Sequence, residues 1–185
     1  MVSTGDRTPG PTSRRTWAIR SLAVERSLIR SSPTIPEDGR NMLSEMAISA
    51  VLVVASILIH YEALRLMSTF VPNLEVAVRV KVLIVVIGCF FAHTLEVWLY
   101  AGAFLLIFKS GLGSLKGQVD ESFADFLYFS ATSYSTMGIG DVYPTGALRL
   151  ISGIEGINGL FLIAWSTSFT YFVMDRLWPL HPDAK

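Results

Sequence analysis

Charged residues and cysteine are both scarce in this chain, and each scarcity excludes a class of protein. Only 16% of the 185 residues are charged, whereas 51% are hydrophobic; an average soluble domain has about 25% charged residues. This deficit of charge indicates a membrane protein. The formal net charge is zero, so no nucleic-acid partner is predicted. Cys89 is the only cysteine, which excludes a disulfide within one chain and a zinc site built on cysteines.

The chain also lacks the features of several other classes of membrane protein. No segment carries arginine at every third position, so we predict no voltage-sensing helix. Only seven residues follow Trp178, and we therefore expect no ligand-sensing domain there. Residues outside the apolar runs are too few for a separate soluble enzyme domain, so no enzymatic activity is expected.

Three long apolar segments are present, at residues 46–67, 80–108 and 147–174. The shortest has about 22 residues, or about 33 Å of helix, which is enough to cross a bilayer core of about 30 Å. Between the last two lie a glycine-rich link (109–119) and a segment too short to span (121–134). We predict a re-entrant half-helix followed by extended backbone, which membranes tolerate only inside protein or along a water-filled path.

The stretch that follows this half-helix contains two glycines spaced one residue apart. Such glycines let an extended backbone turn its carbonyl groups to one side. Four copies around an axis form a ring of oxygens that replaces the water around a dehydrated cation. Aromatic residues precede the stretch and Tyr143-Pro144 follows it. The stretch consists of Thr136, Met137, Gly138, Ile139, Gly140 and Asp141, and it resembles the ion-selectivity filter of potassium channels.

This arrangement resembles the two-helix, pore-loop potassium channel family of bacterial type, whose filter usually reads Thr-Val-Gly-Tyr-Gly-Asp. The resemblance covers residues 82–174 and implies an all-α membrane protein. Its potassium-channel-like pore domain would have an outer helix, a re-entrant pore helix, the filter and an inner helix, with one extra N-terminal membrane helix. It further implies a homotetramer in the bacterial plasma membrane, in contact with lipid. That tetramer would conduct potassium or other monovalent cations passively, with no cofactor besides potassium ions in the filter.

The resemblance also implies roles for individual residues. Thr136 would contribute its carbonyl and hydroxyl groups to the innermost site, and Asp141 would brace the outer mouth. Ile139 replaces a tyrosine and cannot donate the hydrogen bond that holds the family's filter open. Selectivity is therefore open between a potassium-selective and a weakly selective channel. Thr132 stands where a related channel has glutamate, so Asp141 is expected to lack a carboxyl partner.

Glycine recurs every third residue in the last apolar segment, at Gly153, Gly156 and Gly159. These residues favour close packing against the pore helix, and by the resemblance Gly159 is the gating hinge. Small residues also pack membrane helices together without any gating role. Four residues that follow on or near one face are candidates to line an inner cavity: Ile163, Ser166, Thr167 and Thr170.

Ionisable residues inside the apolar segments are costly and mark either a function or a buried pair. We expect Glu96 and Glu155 to lie at similar depth behind the filter, with one of them either protonated or paired with His93. The group forms either a structural hydrogen-bond network or a proton sensor.

Two rival functions are left open. One is a membrane metalloprotein that uses His60, Glu62, His93 and Glu96. Their spacing is not the H-E-x-x-H of a helical zinc site, and we expect His60 and Glu62 near the opposite membrane face, so no metal site is predicted. The other is a non-conducting regulatory subunit that keeps the loop only for packing.

The predicted organisation has four parts. A disordered or amphipathic tail with seven arginines (1–41) precedes the extra membrane helix and its loop (42–78), the pore domain (79–176) and a short C-terminal tail (177–185). A pore loop that enters from outside places the loop at 62–81 in the cytoplasm, where its basic residues agree with the positive-inside rule. It also places the seven arginines of the tail outside, against that rule. We therefore expect three crossings, with two alternatives left open for the first segment: that it lies at the interface or that it forms a hairpin, unless the tail is not native.

Overall fold

A computed structural model describes residues 39–177 of the chain. Most of the two predicted tails, at 1–41 and 177–185, lies outside the described residues. The described residues form, in order, α1 (Gly39–Phe70), α2 (Val78–Lys109), β1 (Gly113–Gly117), α3 (Phe123–Tyr134), β2 (Val142–Gly146) and α4 (Leu148–Leu177). A single 3-10 turn, Val71–Asn73, follows α1.

The three long helices α1, α2 and α4 confirm the three predicted apolar segments. Each has 30 to 32 residues and is long and apolar enough to cross a membrane. The helices α1 and α2 form a hairpin, and α1 stops where Pro72 enters the 3-10 turn, because proline has no N–H group with which to continue a helix. The protein is an integral membrane protein with three candidate spans.

Two short strands were not predicted, so the all-α assignment is corrected to a mostly helical fold. The strands β1 and β2 pair antiparallel, with Gly113 opposite Gly146 and Gly117 opposite Val142. Each strand has only five residues, and glycine and proline, which are depleted in strands, occupy both ends of β1 and two positions of β2. Their pairing joins the chain before α3 to the chain after the predicted filter.

The short helix α3 has twelve residues and lies among the long helices. Its buried residues Phe126 and Phe129 belong to one apolar cluster with Phe104 of α2 and Ile151 of α4. The helix α1 joins this cluster through Leu52. One side of this helix, which is too short to span the membrane, is thereby buried against the three long helices.

A carboxylate fixes the N-terminus of α3. Oδ2 of Asp125 accepts hydrogen bonds from the backbone N–H groups of Ser122 (2.9 Å) and Asp120 (3.1 Å) and from the Ser122 hydroxyl (2.9 Å). The bond from the Ser122 N–H, followed by that from its hydroxyl, holds the pKa of Asp125 below its usual range. The carboxylate therefore satisfies N–H groups that the start of a helix leaves without partners.

Replacing Asp125 with Asn is expected to lower the thermal denaturation temperature at neutral pH and to have little effect in acid. A carboxylate with a depressed pKa contributes stability above its unfolded pKa of about 3.9, and that contribution disappears as pH falls through the lower folded pKa. Thermal unfolding of the detergent-solubilised protein at about pH 7 and about pH 3 measures the difference.

Asp120→Asn is the matched control for this variant, because Asp120 bonds to Asp125 through its backbone N–H. It should behave as wild type at both pH values. An equal loss in Asp125→Asn at both pH values would contradict the role of the charge.

Candidate functional site

Backbone hydrogen bonds hold the start of the loop that follows α3. The Thr136 N–H donates to the carbonyl of Ser133 at 2.9 Å, and the N–H groups of Met137 and Gly138 donate to that of Thr132 at 2.9 and 3.2 Å. The hydroxyl groups of Thr132 and Ser135 donate instead to the carbonyl oxygens of Phe129 and Ala131 in α3. The end of α3 and the loop are thus joined through main-chain atoms.

The backbone of the loop alternates in hand from residue to residue. Thr136, Gly138 and Gly140 have positive φ angles of 57°, 52° and 88°, whereas Met137 and Ile139 do not. In a strand of uniform hand, successive carbonyl groups point to opposite sides; alternating hand turns them towards one side. A Cβ atom added at Gly138 or Gly140 meets no atom within 4 Å, so the φ angle and not space demands glycine.

The carbonyl oxygens of this loop are free within the described chain. No carbonyl oxygen of residues 136–140 accepts a hydrogen bond from any group in residues 39–177. The side chains of Met137 and Ile139 are 66% and 55% exposed. Backbone carbonyls without partners can coordinate a dehydrated cation when enough of them converge.

Asp141, at the end of the loop, has two partners. Its Oδ1 accepts the N–H of Val142 at 2.9 Å, and its Oδ2 accepts the hydroxyl of Tyr128 at 3.0 Å. The bond to the carboxylate raises the pKa of Tyr128. Sequence reasoning missed this phenol, although Tyr128 lies one turn before Thr132 on the same face of α3. The partner of Asp141 is thus a tyrosine hydroxyl, whereas the partner expected from the related channel would be a carboxyl group.

Two buried glutamates accept hydrogen bonds from side-chain hydroxyls of α3. The two hydroxyl-bearing residues lie about one turn apart on that helix. Oε1 of Glu155 in α4 accepts the hydroxyl of Ser130 at 2.5 Å. Its Oε2 is buried and has no hydrogen-bond partner among the described residues. Glu96 in α2 accepts the hydroxyl of Tyr134, which lies four residues after Ser130. Both carboxyl groups therefore meet the helix that leads into the loop.

His60 is placed differently from our expectation. Its Nδ1 lies 2.9 Å from Oε1 of Glu96, and Nδ1 of His93 lies 3.2 Å from Oε2 of the same carboxyl. The prediction that His60 lies near the opposite face was wrong, because α1 continues to Phe70 and holds His60 about three turns inside the helix. Glu62 is exposed and pairs with Arg65 at 3.1 Å, so it is not part of this group.

Other polar contacts between the long helices were missed by sequence reasoning. Nδ2 of Asn158 donates to Oγ of Ser56 at 2.7 Å and to Oη of Tyr100 at 3.3 Å. Nε2 of His60 lies 3.1 Å from Oγ of Ser166. The sequence shows that these polar side chains lie within apolar segments, which indicates that each needs a hydrogen-bond partner. Which partner it finds depends on how the helices pack. These contacts join α4 to α1 and to α2.

Two glycines of α4 allow close approach to the end of α3. A Cβ atom at Gly156 would lie 3.2 Å from the carbonyl oxygen of Ser133, and one at Gly159 would overlap the carbonyl oxygen of Tyr134. A Cβ atom at Gly153 would meet no atom within 4 Å. The predicted close packing therefore involves two of the three glycines.

An open cavity of about 520 Å³ lies between α2 and α4. Its α4 side includes the four residues that we expected to line a cavity, and its α2 side includes Cys89 and His93. The four α4 residues are Ile163, Ser166, Thr167 and Thr170.

The fold and the loop define an integral membrane protein in which a short helix, packed against three long ones, leads into a run of backbone carbonyls without hydrogen-bond partners among the described residues. A family model described as "Ion channel" matches residues 80–174, just over half of the chain. The chain belongs to this ion channel family, and the resemblance to two-helix channels is confirmed. Membership of this family supports a passive ion channel.

The chain is also similar to an uncharacterized membrane protein, YdjJ, of Bacillus subtilis (strain 168). The two are 32% identical over 90 residues, which is 45% of this chain and 26% of the relative. The chain thus covers about a quarter of the length of that relative. No solved structure matches the chain significantly.

Proposed function

We propose that this protein is a passive, potassium-selective cation channel, in which four copies place residues 136–140 around one conduction path. The observation that carries the proposal is the alternating hand of the backbone at Thr136, Gly138 and Gly140, together with carbonyl oxygens that accept no hydrogen bond within residues 39–177. Four such loops would form stacked rings of oxygens that replace the water around a potassium ion.

In this account α3 is the pore helix. Its carboxyl end leads directly into the loop, so the negative end of the helix dipole would favour a cation nearby. The hydrogen bond from Tyr128 to Asp141 (3.0 Å) would brace the outer end of the filter. The close approach that Gly156 and Gly159 permit would hold α4, as the inner helix, against the pore helix. Gly159 as a gating hinge is part of the same proposal.

Four copies are proposed because each chain supplies one loop, and one loop cannot surround an ion. Native mass spectrometry of the purified protein should give about 82 kDa, four times the 20.4 kDa of one chain. A monomer or dimer as the largest species would contradict the proposal. We place the tetramer in the bacterial plasma membrane, with the loop at the outer side.

Ile139 is the residue on which selectivity depends most in this proposal. Replacing it with Tyr should raise the permeability ratio of potassium to sodium several-fold, since a phenol can donate the hydrogen bond that isoleucine lacks. The measurement is the reversal potential of planar bilayers with potassium on one side and sodium on the other.

Ile139→Phe is the matched control for this substitution, because it supplies the aromatic ring without the hydroxyl. A smaller gain in Ile139→Phe supports the hydrogen bond as the cause. Equal ratios in wild type and Ile139→Tyr would show that the account of this residue is wrong.

A further inference from the structure

We propose that His60, His93 and Glu96 form a binding site for a divalent transition metal of the zinc type. The sequence alone predicted no metal site, because His60 was expected elsewhere. The structure brings one ligand atom of each residue within 4.8 Å of the others. The proposal concerns side chains behind the conduction path and goes beyond the channel function.

The composition of the group fits zinc. Two histidines and one glutamate are a known zinc ligand set, which leaves a fourth position open. Zinc–nitrogen bonds of about 2.1 Å in tetrahedral geometry separate ligand atoms by about 3.4 Å. The distances from Glu96 oxygens to Nδ1 of His60 (2.9 Å) and Nδ1 of His93 (3.2 Å) are close to that separation.

Tyr134 offers a fourth ligand. Its hydroxyl lies 2.8 Å from Nδ1 of His93 and donates a hydrogen bond to Glu96. Binding would release the phenolic proton to solvent, as metal binding generally releases the protons of its ligands. A carboxylate and a phenolate with two neutral imidazoles then balance the two charges of the metal. An uncharged assembly is what membrane depth favours.

The surroundings also suit a metal. Nε2 of His60 lies 3.1 Å from Oγ of Ser166, so Ser166 can accept the remaining ring N–H and orient Nδ1 towards the metal. His93 and Ser166 both line the open cavity between α2 and α4. That cavity supplies a path by which an ion can reach a site whose other ligands, His60 and Glu96, are fully buried.

Zinc binding by the purified full-length protein tests the proposal. The protein, made without a histidine tag, is treated with EDTA and then titrated with zinc against a fluorescent chelator. We expect about one zinc per chain and a higher thermal denaturation temperature with zinc than without. Glu96→Gln should weaken binding at least tenfold while keeping the size of the side chain.

Glu62→Gln is the matched control, since it removes a glutamate of the same region that pairs with Arg65 outside the cluster. It should bind zinc as wild type does. Absence of stoichiometric binding by wild type would overturn the proposal and leave a hydrogen-bond network alone. So would equal binding by wild type and Glu96→Gln. This experiment measures metal content and not ion flux. A negative result therefore contradicts the zinc site and leaves the channel proposal untouched.

Discussion

Replacing Gly138 with Val should reduce cation flux to the level of protein-free bilayers. The native φ of Gly138 is 52°, and a β-branched residue is rarely found in that region. The left-handed conformation costs an L-residue about 1–2 kcal/mol, and a tetramer would incur that cost four times at one ring. The substituted residue is expected to return to negative φ, which turns its carbonyl group out of line with its neighbours.

Gly102→Val is the control for this substitution. Gly102 lies inside α2, and a Cβ atom there meets no atom within 4 Å, so flux should persist. Both variants are measured as macroscopic currents in planar bilayers after their oligomeric state is checked. Wild-type current in a correctly assembled Gly138→Val protein would contradict the assignment of the filter.

Replacing Gly159 with Ala should destabilise the protein by about 1–3 kcal/mol, the usual cost of overpacking a tight contact. The added methyl group would overlap the carbonyl oxygen of Tyr134, a backbone atom that cannot swing aside as a flexible side chain can. The lower thermal denaturation temperature of the detergent-solubilised protein measures the effect. Flux should fall as well, because Tyr134 is the last residue of α3.

Gly153→Ala gives the matched comparison on the same helix. Its methyl group enters open space within the described chain, and alanine favours a helix over glycine by up to about 1 kcal/mol. Its denaturation temperature should therefore equal or exceed that of wild type. If both variants had the same denaturation temperature, close contact between α4 and the end of α3 would not be the reason for glycine at position 159.

The sequence allowed the helices and the loop to be predicted because those features are local. Apolar length alone indicates α1, α2 and α4, and a segment too short to span followed by Gly138 and Gly140 indicates a re-entrant loop. The helix α1 begins seven residues before the predicted segment and ends three residues after it, because it continues into more polar sequence. The bounds of α2 and α4 lie within one to three residues of the predicted ones.

The features that sequence reasoning missed depend on which side chains meet across helices. The register between α1 and α2 decides whether His60 reaches Glu96, and no local pattern encodes that register. The pairing of β1 with β2 joins residues about thirty positions apart, and pairing over such a separation has no local signature. The contact between Tyr128 and Asp141 was also missed. It forms only because the loop folds back towards α3, and the sequence does not show the path of that loop.

Ion flux from liposomes that contain the purified wild-type protein is the most direct test of the channel account. The liposomes are loaded with potassium chloride or with sodium chloride and diluted into buffer whose only cation is the large, impermeant N-methyl-D-glucamine. Flux is followed by quenching of a pH-sensitive dye in the presence of a proton carrier. The account predicts potassium-driven flux that barium blocks, and a much smaller flux when sodium is the loaded cation. Flux no greater than from empty liposomes, in protein shown to be tetrameric, would contradict the account and favour a non-conducting subunit.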